Sequence, residues 1–382
     1  MSTVNTNSRR NGLSPSPKSK ESSSKLKKNE NPCLIGLTGD LHYHTWASFS
    51  TETEFGQSRL VNLAATMHSL LIAMAEAGCE TIVLLGDIFH KRGTISVESL
   101  HAFANFVARA AHLDIALKII VGNHDMDRRD NTVHALEVFK SVDHVTVYDT
   151  VCIDTVTDAS SKSALYIPYH DDHEVIQKTL DTLGDGPDYI FGHFGVANAK
   201  LINTDFVIDK GVNLTNFTSK TVKGVFLGHY HTPQKLDCPI PAYYVGSPLA
   251  HTFNDEGVIK QASILDISNS QVSKILTKYL EFVTVNASKN EDIARQVYKP
   301  AYYRVKLNGF TLDQKVAKAA AKTAYPGGIE FVPVKGTDQS DQVAKDKNLD
   351  VNSVVSSYVK TLNTVNKSEI YKIVSEILKE TL

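Results

Sequence analysis

The spacing of hydrophobic positions along the chain predicts the order of its elements. Apolar side chains recur every three or four positions between residues about 57 and 77, as in a helix with one buried face: Leu60, Leu63, Ala64, Met67, Leu71 and Met74. A second helix is predicted near residues 95–112. Short apolar runs predict buried strands; they read CLIGLTGD, TIVLLGD, ALKIIVGNHD, DYIFGHFG and GVFLGHYH. This alternation predicts an α/β fold.

Each of these apolar runs leads into a glycine that is followed by aspartate, asparagine or histidine. In α/β sheets, ligands bind outside the carboxyl ends of the strands. We therefore expect the polar residues after the five strands to lie together at one rim, on a main domain that we place at residues 33–270.

The remaining segments predict three further parts. Residues 1–32 are typical of a disordered basic tail, which either solubilises the chain or serves DNA contact or targeting. A β-α-β pattern at about 299–335 predicts a small α+β domain, placed at residues 271–340. Two amphipathic helices are predicted within residues 346–382, with Asp350 and Ser368 as caps. Because two helices bury little by themselves, we expect them to dock on this protein or on a partner.

Composition narrows the class of protein. With 42% hydrophobic and 21% charged residues and a net charge of -2, the chain has globular composition, and this charge does not exclude a local nucleic-acid patch. No apolar stretch approaches the roughly 18 residues of a membrane span, and the N-terminus lacks a secretory apolar core. We therefore expect no membrane contact. The four cysteines form no CxxC pair, which favours a reducing compartment such as the cytoplasm.

Five motifs follow the strands in order: Asp40-x-His42, Gly86-Asp87, Gly122-Asn123-His124-Asp125, Gly192-His193 and Gly228-His229-x-His231. Their carboxylate, amide and imidazole groups suit two divalent cations such as Mn, Fe or Zn. Two such cations, held roughly 3.5–4 Å apart by a shared carboxylate, activate water for attack on phosphorus. A further histidine can protonate the leaving oxygen.

Each motif also has an ordinary structural explanation when it stands alone. A Gly-Asp pair after a strand is most often a turn, and Asn or Asp before a helix is often a cap. A Gly-His-x-His run is usually a surface or core histidine pair. The five motifs together, each at the end of an apolar run, are much harder to obtain by chance and favour a two-metal site.

The series resembles that of the calcineurin-like metallophosphoesterases, with GDLH, GDIFH, GNHD, GHF and GHYH as they stand here, over residues about 33–270. Within that superfamily the chain is similar to the SbcD-type exonucleases, their meiotic-recombination relatives and a phage recombination endonuclease subunit. GDIFHKRG differs from the GDxVDRG of protein phosphatases, and YVGSP followed by Phe253 resembles a nuclease segment. The implied fold is a β-sandwich flanked by helices, with a small α+β capping domain and a C-terminal helical pair.

The resemblance implies a metal-binding role for seven residues. The first metal would be bound by Asp40, His42 and His231. The second metal would be bound by Asn123, His193 and His229. Asp87 would lie between the two metals and bind both.

The resemblance also implies roles beside the metals. His124 would donate a proton or orient the phosphate, and Asp125 would orient His124. His90 matches a position that approaches the substrate backbone in the meiotic branch. Arg92 is a candidate phosphate contact, with a solvated surface charge as the alternative. The other histidines are expected at surface or satisfied core positions: His44, His68, His101, His112, His134, His144, His170, His173 and His251.

The function implied is a DNA nuclease that hydrolyses phosphodiester bonds in repair and recombination. Manganese is the expected cation, with Mg, Fe or Zn as alternatives. The resemblance implies an SMC-like ABC ATPase partner (SbcC-type) bound through the C-terminal helices, and a homodimer within a heterotetramer. Its place would be the nucleoid of a bacterial or phage-infected cytoplasm. Because the chain contains no G-x-x-x-x-G-K-[ST] run, P-loop binding of ATP would come from the partner.

Two other functions stay open. A phosphatase or small-molecule phosphodiesterase would use the same chemistry, and the metal site by itself does not distinguish its substrate from DNA. A non-catalytic scaffold is the second alternative, but the ligand set is complete here, which argues against it.

Overall fold

The computed structural model describes residues 33–127, 133–200, 208 and 210–334. The basic tail predicted at residues 1–32 and the helical pair predicted at residues 346–382 lie outside the described residues. Within the described part, no helix is both long and apolar enough to cross a membrane.

The five predicted strand runs and the two long helices are present, and both helices match the predicted spans within about two residues. In chain order they are β1 (Leu34–Thr38), β2 (Glu52–Thr53), β3 (Gly56–Gln57), α1 (Ser58–Glu76), β4 (Cys79–Leu84), α2 (Val97–His112), β5 (Ala116–Ile120), β6 (Val145–Tyr148), β7 (Cys152–Thr155), β8 (Ser163–Ile167), α3 (His173–Asp181), β9 (Tyr189–His193), β10 (Gly224–Gly228), β11 (Gln234–Lys235), β12 (Ala242–Tyr244), β13 (Gln261–Asp266), β14 (Gln271–Leu276), β15 (Phe282–Ala287), α4 (Asn290–Gln296), β16 (Tyr302–Asn308), α5 (Gln314–Thr323) and β17 (Ile329–Val334). Short 3₁₀ helices lie at Ala135–Phe139 and Phe253–Asp255.

Two six-stranded sheets form the centre of the described chain. Their strand orders are β14-β13-β1-β4-β5-β6 and β11-β12-β10-β9-β8-β7. Strands β1, β4, β5 and β6 are parallel, as are β8, β9, β10 and β12. Apolar side chains from both sheets pack in one buried cluster that includes Val83, Ile120, Tyr166, Phe191 and Phe226. The predicted α/β class, a β-sandwich flanked by helices, is confirmed.

Helices cover the outer faces of both sheets. The apolar stripes of α1 and α2 pack on the first sheet, where Met67 and Phe103 are among the buried residues. On the second sheet α3 buries Ile176 and Leu180. The start of α2 is fixed by Ser96, whose hydroxyl accepts a hydrogen bond from the backbone N–H of Ser99 at 3.1 Å.

The first sheet extends further along the chain than the domain boundary that we drew at residue 270. Strand β14 pairs antiparallel with β13, with Gln261 opposite Leu276. The strand lies at the sheet edge, and most of its side chains are exposed. The segment QVSKIL is strand-like in sequence, but an exposed edge strand has no continuous apolar run that would fix where the sheet ends.

The last described part is a small parallel sheet of β15, β16 and β17 with α4 and α5. It has its own core, including Val285, Ile293 and Val305. The predicted β-α-β pattern corresponds to β16-α5-β17, and β15 with α4 precedes it. Ala250, Phe282 and Tyr302 form a buried cluster that joins this unit to the sandwich. We call these three residues the junction.

Candidate metal centre

The carboxyl ends of strands from both sheets meet at one edge of the sandwich. Asp40 follows β1 in the first sheet, and its two carboxylate oxygens accept hydrogen bonds from the backbone N–H of His229, after β10 in the second sheet, at 3.0 and 3.2 Å. Asn123 follows β5, and its Oδ1 atom lies 3.0 Å from Nε2 of His193, at the end of β9. The five strand ends therefore converge across the two sheets.

Left-handed backbone turns aim several of these side chains inward. The φ angles of Asp40, His42 and Asp87 are 53°, 54° and 52°, and that of His229 is 99°. The turns after β1 and β4 hold each other, because the N–H of Asp40 donates to the Gly86 carbonyl at 2.9 Å and that of His42 donates to the Asp87 carbonyl at 3.0 Å. Non-glycine residues with positive φ are uncommon and cluster at functional sites.

The first predicted ligand set is close enough to hold one cation. Asp40, His42 and His231 each offer a ligand atom within 4.8 Å of the others. Burial lowers the pKa of His231 to about 4 and holds that of His42 well below its usual range, so both rings are neutral. Their Nε2 atoms lie 3.0 Å apart. Two neutral imidazole nitrogens beside a carboxylate are the donor set of a borderline divalent cation.

The second predicted set gathers around the amide of Asn123. Its Oδ1 atom lies 3.0 Å from both His193 Nε2 and His229 Nδ1. The Nδ1 atom of His193 donates to the Leu85 carbonyl at 2.6 Å, so Nε2 is the nitrogen of that ring that can bind a cation once its proton is released. A cation between such atoms satisfies both, so these residues fit a second metal.

Asp87 lies between the two sets, as predicted for a shared ligand. Its Oδ1 atom is 3.4 Å from Nε2 of His193, and its Oδ2 atom is 3.8 Å from Nε2 of His42. Oδ1 also accepts the backbone N–H of His124 at 2.8 Å. Asp87 and Asp40 form a further compact group with His193, with ligand atoms within 4.8 Å of one another. The residues present can therefore hold two divalent cations.

The protonation states follow from burial and charge. Burial raises the pKa of the Asp40 carboxyl to about 7. Burial would lower the pKa of His193, but the charges of Asp87 and Asp40 and hydrogen bonds to Asp87 and Leu85 raise it to about 9. Burial also disfavours ionisation of Asp87, yet the surrounding imidazoles hold its pKa below the usual range. A cation must displace the proton of His193 to bind its Nε2 atom.

His124 lies at the rim of the metal centre. Its Nδ1 atom donates to the His90 carbonyl at 2.5 Å, and its ring stacks on that of His90 with centroids 5.3 Å apart. That Asp125 orients His124 stays a prediction. The two carboxylate oxygens of Asp125 accept the backbone N–H groups of Phe89 and Gly122, both at 2.9 Å. Asp125 thus joins the loop after β4 to the loop after β5.

The two predicted substrate contacts differ in position. His90 lies beside the metal centre, with its Nδ1 atom 3.3 Å from Nδ1 of His42. Burial lowers the pKa of His90 to about 4, so its ring is neutral at pH 7. Arg92 is exposed on the loop that follows. Among the described residues, no hydrogen bond or ion pair links Arg92 to the predicted ligands, and its contact with phosphate stays a prediction.

Sequence patterns did not predict which contacts several residues make in support of the site. The Arg59 guanidinium lies 4.4 Å from the centroid of Trp46, and the Trp46 ring lies 4.2 Å from that of His90. Arg59, Trp46, His90 and His124 thus form a row, which we call the stack. His251, expected at a surface or satisfied core position, is buried with Nε2 2.9 Å from the carbonyl oxygen of Asp40. No local motif indicates these contacts, because they join distant parts of the chain.

Comparisons with known proteins add little to this geometry. No family model matches the chain, and no curated protein matches it. A crystal structure of a dimetal phosphatase from Danio rerio is 11% identical, covers 66% of this chain and 98% of its own, and has a TM-score of 0.39. Another crystal structure is also 11% identical, covers 65% of this chain and 100% of its own, and has the same TM-score of 0.39. At this similarity, neither structure carries information about the function of this chain.

Proposed function

We propose that this protein is a two-metal phosphodiesterase that cleaves DNA. The observation that carries the proposal is the position of Asp87 between two sets of ligands. Asp40, His42 and His231 lie on one side, and Asn123, His193 and His229 lie on the other. When bound, two divalent cations supply Lewis-acid activation of water and of the phosphate.

The protein's own residues would orient the reacting groups. The His90 carbonyl holds Nδ1 of His124 as a donor, so the Nε2 atom of His124 is the free position on that ring. At the rim of the metal centre, a protonated Nε2 can donate to the leaving oxygen. The neutral ring of His90 stacks on His124 and keeps it in this orientation.

The choice of DNA as substrate rests on sequence features. The GDIFH motif, the YVGSP segment and the small β-α-β-containing unit resemble those of the SbcD-type nucleases. On the same basis we propose manganese as the cation, a homodimeric assembly in a bacterial or phage-infected cytoplasm, and an SMC-like ABC ATPase bound through residues 346–382.

A direct comparison of substrates tests the proposal. The purified protein is given Mn²⁺ with linear duplex DNA, a nucleoside monophosphate or a chromogenic phosphodiester, with and without the ATPase. We expect cleavage of DNA and its loss in Asp87→Asn. In His124→Ala we expect bound metal but roughly 100-fold slower cleavage. Preference for the small substrates even with the ATPase present would identify a phosphatase or small-molecule phosphodiesterase instead.

The partner is tested separately by deletion of residues 346–382. We expect the shortened chain to keep its metal affinity and lose co-purification with the ATPase. Association that is unchanged by the deletion would reject the C-terminal helices as the docking element.

A further inference from the structure

A buried ion pair lies behind the metal centre and is connected to the backbone of two predicted ligands. We propose that Lys260 and Asp255, together with His251, are positioning residues that set the affinity of the site formed by Asp40, His42 and His231. This inference rests on the proposed function, because it assigns a role toward the first of its two cations. None of the three positioning residues belongs to the predicted ligand set.

Lys260 connects the ion pair to the loop that carries His231. Its side chain is fully buried, and its Nζ atom lies 2.6 Å from Oδ1 of Asp255. The same Nζ donates to the Ser247 hydroxyl at 3.0 Å and to the His231 carbonyl at 3.2 Å. All three ammonium protons therefore have an acceptor, and one of them holds the backbone of a predicted ligand.

Asp255 connects the ion pair to Asp40 through His251. Its Oδ2 atom accepts the backbone N–H groups of His251 at 2.9 Å and Thr252 at 3.0 Å. The His251 ring then donates from Nε2 to the Asp40 carbonyl at 2.9 Å. One continuous network, from Lys260 to Asp40 and to His231, therefore reaches the backbone on both sides of the first site.

Energetics favour a positioning role over a stabilising one. A buried ion pair loses the hydration of both charges, and replacing such a pair by apolar residues is often neutral or stabilising. Here the network ends on the carbonyl of Asp40, whose left-handed φ of 53° is held by its neighbours rather than by local preference. Residues that orient metal ligands commonly change metal affinity by roughly 10- to 100-fold when they are replaced.

The test measures metal binding in full-length variants, by calorimetry with Mn²⁺ and by electron paramagnetic resonance, which distinguishes a coupled manganese pair from a single ion. We expect Lys260→Met to weaken one of two sites by roughly 10- to 100-fold and to replace the coupled signal by that of an isolated ion. Adding Asn123→Ala to this variant should remove the remaining ion, because Asn123 belongs to the second ligand set.

Lys118 provides the matched control. It is also a buried lysine, and its Nζ atom lies 3.0 Å from Asp154 and 2.9 Å from the Tyr148 hydroxyl. Neither of these partners is a predicted metal ligand. Lys118→Met should alter the free energy of unfolding and leave both Mn²⁺ affinities unchanged. Equal weakening of metal binding in both lysine variants would overturn the proposal.

Two substitutions at His251 give an independent measurement if Lys260→Met does not fold. His251→Gln retains a side-chain N–H that can reach the Asp40 carbonyl, whereas His251→Phe does not. We expect the Phe variant to lose the first-site affinity and the Gln variant to keep most of it. Wild-type affinity for both ions in Lys260→Met, or in His251→Phe, would overturn the inference. A wild-type protein that binds no cation would instead reject the proposed function.

Discussion

At the scale of single residues, the metal centre depends on backbone conformations that its side chains do not favour. Asp40, His42 and Asp87 occupy the left-handed region, which costs an L-residue of this kind about 1 kcal/mol or more. Interlocking hydrogen bonds between the turns offset that cost. Glycine is needed where the turns approach most closely, since a Cβ atom on Gly122 would collide with the backbone nitrogen and the carboxylate of Asp87.

Gly122→Ala should therefore damage both stability and metal binding. We expect the free energy of unfolding to fall by about 1–3 kcal/mol, because Asp87 must shift to admit the methyl group. Urea unfolding and Mn²⁺ calorimetry measure the two effects. Gly184→Ala is the control, since a Cβ atom there meets nothing within 4 Å. Equal stability and affinity in the two variants would show that Asp87 tolerates the displacement.

The pKa values predict how metal affinity depends on pH. His193 has a pKa of about 9, so below pH 9 its ring is protonated in the metal-free protein and binding must release that proton. Asp40, with a pKa of about 7, adds a second proton below pH 7. Mn²⁺ affinity should thus rise with pH, by about tenfold per unit between pH 7 and 9 and more steeply below 7. Calorimetry in buffers of different ionisation enthalpy counts the released protons, and a pH-independent affinity would contradict the assignment.

At the scale of elements, the strand ends carry the ligands, and helix α1 supports the residues at the rim of the metal centre. Four ligand-bearing loops follow β1, β4, β5 and β10, and His193 is the last residue of β9. Helix α1 contributes Arg59, which donates to the His251 carbonyl at 2.7 Å and to the Ser48 carbonyl at 3.2 Å. The guanidinium then supports Trp46, and Trp46 supports His90. The stack thus connects the first turn of α1 with the predicted proton donor His124.

Trp46→Ala should remove the packing contact that holds His90 and, through it, His124. We expect metal binding to persist and hydrolysis to slow by roughly 10- to 100-fold, because His90 and His124 lose their fixed orientation. Trp46→Phe keeps an aromatic ring between Arg59 and His90, so it should recover most of the rate. Single-turnover assays with saturating Mn²⁺ separate the chemical step from metal binding. If the Ala and Phe variants hydrolyse equally fast, the stack has no part in positioning His124.

At the scale of the whole molecule, the site lies where separately packed parts meet. The space between the sheets, the outer faces of both sheets and the small C-terminal sheet have separate apolar clusters. Arg59 also lies over the junction, with its guanidinium 5.4 Å from the centroid of Phe282 and 5.5 Å from that of Tyr302. The ligands come from both sheets, so cations held by them would link the two halves of the sandwich.

Metal removal should therefore lower global stability. Free Mn²⁺ at 100 times the dissociation constant adds about 2.7 kcal/mol per site to the free energy of unfolding, provided that the unfolded chain does not bind it. Chelation by EDTA should reverse the gain in a thermal melt. The melting temperature of the Asp87→Asn variant should change little on addition of Mn²⁺ or EDTA, since this variant lacks the shared carboxylate. A melting temperature in the wild type that is insensitive to Mn²⁺ would argue against a site spanning both sheets.

Local patterns determined the five ligand-bearing strands, the long helices and the order of the predicted ligands, since an apolar run and the polar residue after it are adjacent in the chain. Only the tertiary structure decided which side chains support the ligands. His251 meets Asp40 across 211 positions, and Arg59 meets His251 across 192. Asp125 likewise accepts the backbone N–H of Phe89, 36 positions away, and so joins two loops. Such contacts depend on how loops from distant strands approach one another, and no short segment encodes that approach.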